Sequence, residues 1–178
     1  MYVWRHIQAI LLLPGTATII VPAILLFSNG DANPGCGLPA PFNFLPPLSG
    51  IFLICSGILL MIRTIALFAV FGQGTLAPWD PTRRLVVRGI YRHVRNPMIS
   101  GVFCILAGET MLFGSLLLFY WFLVFVTLNV IYIPLVEERS LEDRFDGDYI
   151  LYKKNVRRWL PRIQPWMPPW DGAADPRG

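Results

Sequence analysis

The residues best suited to chemistry fall in two polar blocks, Gly72–Gly101 and the stretch that begins at Glu137-Glu138. The first block, GQGTLAPWDPTRRLVVRGIYRHVRNPMISG, holds five arginines: Arg83, Arg84, Arg88, Arg92 and Arg95. The planar fork of arginine gives a carboxylate or phosphate two parallel hydrogen bonds, which makes Arg92 and Arg95 candidates for holding an anionic group. Charge that keeps a loop on one side of a membrane is the competing account, and it suits Arg83 and Arg84. Asn96-Pro97 turns the chain away from helix at Asn96 and starts one at Pro97. The backbone N–H groups of such a start point at any anion held there. Glu137 and Glu138 close a nearly uncharged run. Adjacent helical residues point in different directions, so one can hold a cation against the first block while the other faces water.

Other chemistries find less support. His6 and His93 are the two histidines. His93 can serve as a base or an anion ligand, although a plain interface residue is the simpler reading. No ligand pattern predicts a metal. Ser100, Ser115 and Ser140 lie outside any nucleophile-elbow pattern. Gly72-Gln73-Gly74 follows an apolar segment and lacks a third glycine at the right offset, so it reads as a helix stop rather than a dinucleotide-binding turn. Cys36, Cys55 and Cys104 form no CxxC pair, and no disulfide framework follows.

Four apolar stretches must position the two blocks: Ile7–Phe27, Leu48–Phe71, Met98–Phe113 and Leu116–Leu135. A helix needs about 20 apolar residues to cross a bilayer. The first, second and fourth stretches reach that length; the third is short and can tilt less, start inside the connector, or form a hairpin with the fourth through Gly114-Ser115. The chain has 178 residues, 54% hydrophobic and 15% charged. That excludes an ordinary soluble domain and predicts an all-α integral membrane protein. It should have about four transmembrane helices with a helical hairpin, followed by C-terminal interfacial amphipathic helices. The whole of 1–178 reads as one membrane-embedded unit. Residues 1–71 form the first two helices, 72–162 the catalytic region and 163–178 a flexible tail.

The loop Ser28–Pro47 has no Lys or Arg. By the positive-inside rule both termini and the basic connector face the cytoplasm. The net charge of +4 is then one-sided, favouring anionic headgroups and anionic ligands over nucleic acid. The first apolar stretch reads as a retained helix bent at Pro14-Gly15 and Pro22. Ser49 is the expected N-cap of the second. Arg63 and Glu109, ionisable groups within apolar stretches, are expected to pair across the second and third helices. After Leu135, Leu141, Phe145, Tyr149, Tyr152 and Val156 recur at helical spacing, interrupted at Asp146-Gly147-Asp148. They predict an interfacial helix pair.

These residues resemble the isoprenylcysteine carboxyl methyltransferase family, bacterial branch, which is similar in turn to the phospholipid N-methyltransferases. The signature is an Arg-His-Pro-x-Tyr-x-Gly-like run, then a Glu-Glu pair, then a Phe-Gly, Tyr, Tyr, Arg, Pro series. Here the run is Arg95-Asn96-Pro97-Met98-Ile99-Ser100-Gly101. The series is Glu137-Glu138, Leu141, Phe145, Gly147, Tyr149, Tyr152, Arg158 and Pro161. Asn96 stands for the histidine, Ile99 for the tyrosine, and Asp146 intervenes before Gly147.

The resemblance implies a membrane-embedded methyltransferase of a bacterial inner membrane, using S-adenosylmethionine that enters from the cytoplasm. It implies Arg92, Arg95, Asn96, Pro97, Met98, Gly101, Glu137 and Glu138 as cofactor-binding residues. Arg95, Glu138 and Arg158 are its catalytic candidates. Glu138 would pair with the cofactor's positive part, the backbone at Gly101 would approach it closely, and Arg95 or Arg158 would orient the acceptor. The acceptor is lipophilic or lipidated and drawn from membrane lipids, with carboxyl O-methylation of the isoprenylcysteine type expected. Phospholipid N-methylation and thiol S-methylation are alternatives. An NADPH-dependent membrane reductase of the sterol-reductase type and a non-enzymatic membrane adaptor are the rivals.

Overall fold

The computed structural model describes residues 11–29, 31–71 and 85–171. A π-helical run, Leu11–Ile20, passes directly into an α-helix, Val21–Asn29; together they form α1. The wider turn accommodates Pro14, which lacks an N–H to donate. The Thr18 hydroxyl donates to the Pro14 carbonyl at 2.7 Å. Then follow α2 (Leu45–Phe71), a short 3-10 turn (Gly89–Arg92), α3 (Pro97–Phe113) and α4 (Leu116–Tyr132). A π-helical turn at Ile133–Glu137 leads into α5 (Glu138–Asn155). No strand occurs among the described residues. The expected readings of Met1–His6, Gly72–Gly74, Arg83 and Arg84 lie outside those residues.

Helix α2 begins at Leu45 rather than at Ser49, because Pro46 and Pro47 sit in a first turn whose N–H groups have no intrahelical acceptor in any case. The Ser49 hydroxyl donates back to the Pro46 carbonyl at 2.8 Å instead of capping. Two continuous helical runs, Phe42–Leu67 and Leu116–Asn155, are long and apolar enough to cross a membrane, the first within α2 and its lead-in turn and the second beginning with α4, while the apolar helices Pro14–Ser28 and Pro97–Phe113 are shorter. Phe52 is 70% exposed on α2 and Leu128 59% on α4. Apolar faces of that extent need lipid cover. The molecule is an all-α membrane protein.

The closest helix pair is α2 with α3, and glycines make it close. A Cβ on Gly57 would stand 2.5 Å from the Gly101 carbonyl, and one on Gly50 would stand 2.6 Å from that of Gly108. The antiparallel register therefore pairs Gly50 with Gly108 and Gly57 with Gly101. Extending it puts Arg63 level with Arg95 and Glu109 level with Ser49. About 21 Å of helix separates those two levels, so the expected Arg63–Glu109 pair cannot form. Arg63 is exposed and Glu109 half-buried, each without an ionic partner among the described residues.

The hairpin turn is tied to the loop before α2. Gly114, at φ 60°, ends α3 in the left-handed region. The Ser115 side chain caps α4 by accepting from the Leu118 N–H and donates to Asp31 Oδ1 at 2.8 Å. At the other end, α5 is not one straight helix. Asp146, at φ 42° and ψ −124°, breaks it where the Asp146-Gly147-Asp148 signal lies. The second half turns back and buries Tyr149, Tyr152 and Val156 against Val87, with Trp166 and Trp170 packed beside them. This small core outside the spans fixes the connector's end against the C-terminal segment.

Candidate active site

Pro97 occupies the first turn of α3, and Asn96 precedes it with no side-chain cap. The first N–H groups of this helix are thus left without a side-chain acceptor. Two more donors lie buried beside them in sequence: Arg95 Nε and Asn96 Nδ2 have no hydrogen-bond partner among the described residues. Arg95 is 8% exposed. An uncapped helix start flanked by unpartnered buried donors is receptive to an anion such as a carboxylate.

The adjacent carboxylate is Glu138, only 2% exposed. Arg158 grips it with both arms of its fork, Nε to Oε1 at 2.6 Å and a terminal nitrogen to Oε2 at 2.9 Å. Arg95 reaches Oε1 at 2.9 Å, and Lys153 Nζ lies 3.4 Å from Oε2. Burial alone would raise the Glu138 carboxyl; the Arg158 hydrogen bonds and the charges of Arg95, Arg158 and Lys153 outweigh it and hold the group below the usual carboxylate range. Arg95 also donates to the Tyr149 hydroxyl at 3.3 Å. Burial, then the nearby Glu138 charge, pushes that hydroxyl up to about 12, so Tyr149 stays a neutral phenol.

A straight helix would hold residues 138 and 153 about 22 Å apart. The turn at Asp146 is what lets Lys153 and Arg158 return to Glu138. Backbone hydrogen bonds complete the junction. The Arg95 N–H donates to the Arg157 carbonyl, the Arg162 N–H to the His93 carbonyl, and the Trp166 N–H to the Arg92 carbonyl, each at 3.0 Å. The Tyr152 hydroxyl donates to the Tyr91 carbonyl at 2.6 Å.

On the other side of the 3-10 turn lies an open groove of about 1050 Å³. Its walls are mostly apolar, among them Leu60, Leu67, Ile90 and Trp159. Arg63, Arg92, His93 and Ser100 are its polar and charged members, and Cys104 adds a thiol. The groove runs along the C-terminal end of α2, where that helix is exposed.

Residues 46–148, more than half of the chain, match a family described as Phospholipid methyltransferase. The chain belongs to the phospholipid methyltransferase family. Membership makes the protein a membrane methyltransferase with an S-adenosylmethionine-type methyl donor. The family's acceptors are lipids, and the matched range of this family member runs from the start of α2 through Glu137 and Glu138 to the turn in α5. Searches of curated proteins and of solved structures each returned no match.

Within this family member, Arg95, Glu138 and Arg158 come together in one ion cluster. Asn96, Pro97 and Met98 form the start of α3 beside it. Two features differ from the sequence reading. The missing side chain of Gly101 admits the backbone of α2 at Gly57, and that helix contact explains the glycine. Glu138 faces the connector as one member of the acidic pair should, yet its cations come from the protein itself. Glu137 is exposed. Arg92 stands apart, its Nε donating to the Val87 carbonyl at 3.4 Å while the residue lines the groove. Lys153 escaped the sequence reading, because its contact with Glu138 depends on the turn at Asp146.

Proposed function

We propose that this chain transfers a methyl group from S-adenosylmethionine to a lipophilic acceptor bearing an anionic group, at the cytoplasmic membrane face. The observation that carries this is the groove: apolar walls, open beside the lipid-facing end of α2, with Arg63 and Arg92 among its lining. An acyl or prenyl chain is held by the first feature and a phosphate or carboxylate by the second.

The methyl donor's carboxylate fits the uncapped start of α3 with the orphaned donors Arg95 Nε and Asn96 Nδ2. The exposed acid at Glu137 suits its cationic groups. When bound, the donor supplies an electrophilic methyl on a sulfonium. The protein's part is alignment and exclusion of water. The Glu138 cluster contributes by locking Arg95, and with it the helix start, in place. In this account Arg95 and Asn96 bind the donor, while Glu138 and Arg158 position them.

Two acceptor forms satisfy the groove. In carboxyl O-methylation of the isoprenylcysteine type, the arginines hold the reacting group itself; the resemblance of Arg95–Gly101 and Glu137–Pro161 favours it. In phospholipid N-methylation, they hold the phosphate next to an amine; the matched family favours it. The test follows methyl label from S-adenosylmethionine into membrane lipids. A base-labile product means an ester and the first form. A base-stable lipid product means the second, and label that stays in the aqueous phase would refute a lipophilic acceptor.

A further inference from the structure

His93 follows directly on the 3-10 turn and lines the groove. Its Nδ1 lies 2.8 Å from the Arg162 carbonyl oxygen. A carbonyl oxygen only accepts, so Nδ1 carries a proton in this contact. In the neutral ring Nε2 is then a bare acceptor. It meets no hydrogen-bond partner among the described residues. The ring is braced at its back: its own carbonyl accepts from the Arg162 N–H at 3.0 Å. His93 and Arg162 thus hold each other through two hydrogen bonds, and only one of these uses the side chain. The ring orientation is fixed as it is for a catalytic imidazole whose second nitrogen is held by a neighbour.

A carboxylate acceptor has no proton to lose at neutral pH, and methylating it requires no base. A lipid ammonium does have one. We propose that Nε2 of His93 takes the proton from the acceptor's nucleophile, which makes His93 a catalytic residue and the acceptor a protic group such as an amine. The inference rests on the groove being the acceptor site and narrows that reading to one of its two forms. An N–H bond of the acceptor breaks, its proton passes to Nε2 and the electron pair stays on nitrogen. That pair forms the new N–CH₃ bond while the S–CH₃ bond breaks, its electrons remaining on sulfur. The product keeps the positive charge, and the imidazolium returns its proton to water. Arg63 and Arg92 are the charged groups that line the groove with His93. They hold the acceptor's anionic part and, being cations, do not compete for the proton.

The test compares wild type with His93→Asn. An asparagine amide can still donate to the Arg162 carbonyl, so the brace survives while the base is lost. Each protein is reconstituted with two acceptors: vesicles of phosphatidylethanolamine and phosphatidylcholine, and phosphatidylcholine vesicles carrying a prenylated cysteine. Wild type should label the amine lipid with base-stable methyl groups. His93→Asn should lower kcat on that lipid about 100-fold, with KM and S-adenosylhomocysteine affinity within twofold.

A second readout needs no turnover and no variant that folds poorly. Imidazole ¹⁵N resonances of the wild-type protein should show His93 protonated at Nδ1 and bare at Nε2. Amine labelling that persists within threefold in His93→Asn would overturn the proposal, as would an Nε2-protonated neutral ring. Label confined to the prenylated carboxylate would overturn it while leaving the methyltransferase reading intact. Label from neither acceptor, with no S-adenosylhomocysteine bound, would remove both.

Discussion

At Glu138 a carboxylate almost withdrawn from water faces Arg95, Arg158 and Lys153. Removing one partner of a buried pair leaves the other charge uncompensated, which costs more than the pair contributes net. Glu138→Gln should therefore destabilise the protein by about 3 kcal/mol, read as a lower unfolding temperature in detergent. The pH dependence follows from the direction of the shift. Folding lowers this carboxyl, so its contribution is complete above the unfolded glutamate value near 4.3. It is lost as pH falls through the lower folded value. Wild type should show an acid limb that Glu138→Gln flattens. An identical limb in both would mean the cluster does not hold the junction. The pairing of Arg95 and Arg158 with an acid was open to reading from the two polar blocks. Lys153 was not: the break at Asp146-Gly147-Asp148 is legible, but the direction in which the second half returns toward Glu138 is not.

At the scale of elements, the sequence periodicity located the spans but not their depth relative to one another. That depth comes from Gly50, Gly57, Gly101 and Gly108, which bring two backbones into contact at fixed register. The register explains why Arg63 and Glu109, both unusual in apolar runs, end at opposite levels of the helix pair. It also makes a test. Gly57→Ala places a methyl group against the Gly101 carbonyl, where only backbone can give way. A loss of about 1–3 kcal/mol is expected from the helices separating. Gly147→Ala, with nothing within 4 Å of its Cβ, should stay within about 0.5 kcal/mol of wild type. Thermal unfolding of the two variants side by side checks this, and equal losses would contradict the register. The start of α2 at Leu45 rather than after an N-cap at Ser49 belongs to the same scale: Pro46 and Pro47 are ordinary residues of a first helical turn.

Over the whole molecule, the class of fold was legible because lipid demands satisfied backbones and long apolar runs, and both leave plain marks in a sequence. The groove was not legible. It forms where the C-terminal end of α2, the 3-10 turn and the Trp159–Pro165 region meet, far apart along the chain. The proposed orientation puts the ion cluster and the groove on the cytoplasmic side and the Cys36 loop opposite. Cys36 is an exposed free thiol. A membrane-impermeant thiol reagent should modify it in intact cells or right-side-out vesicles and miss it in inverted ones; the reverse pattern would invert the topology.

The central claim is a methyl-donor site at the start of α3, held by the Glu138 cluster. Equilibrium binding of S-adenosylhomocysteine to the purified protein tests it most directly, with NADPH as the comparison ligand. The account predicts saturable binding of S-adenosylhomocysteine alone, weakened about tenfold by Arg95→Ala, or about 1.4 kcal/mol. Binding of NADPH instead, binding of neither, or an affinity that Arg95→Ala leaves unchanged would contradict it.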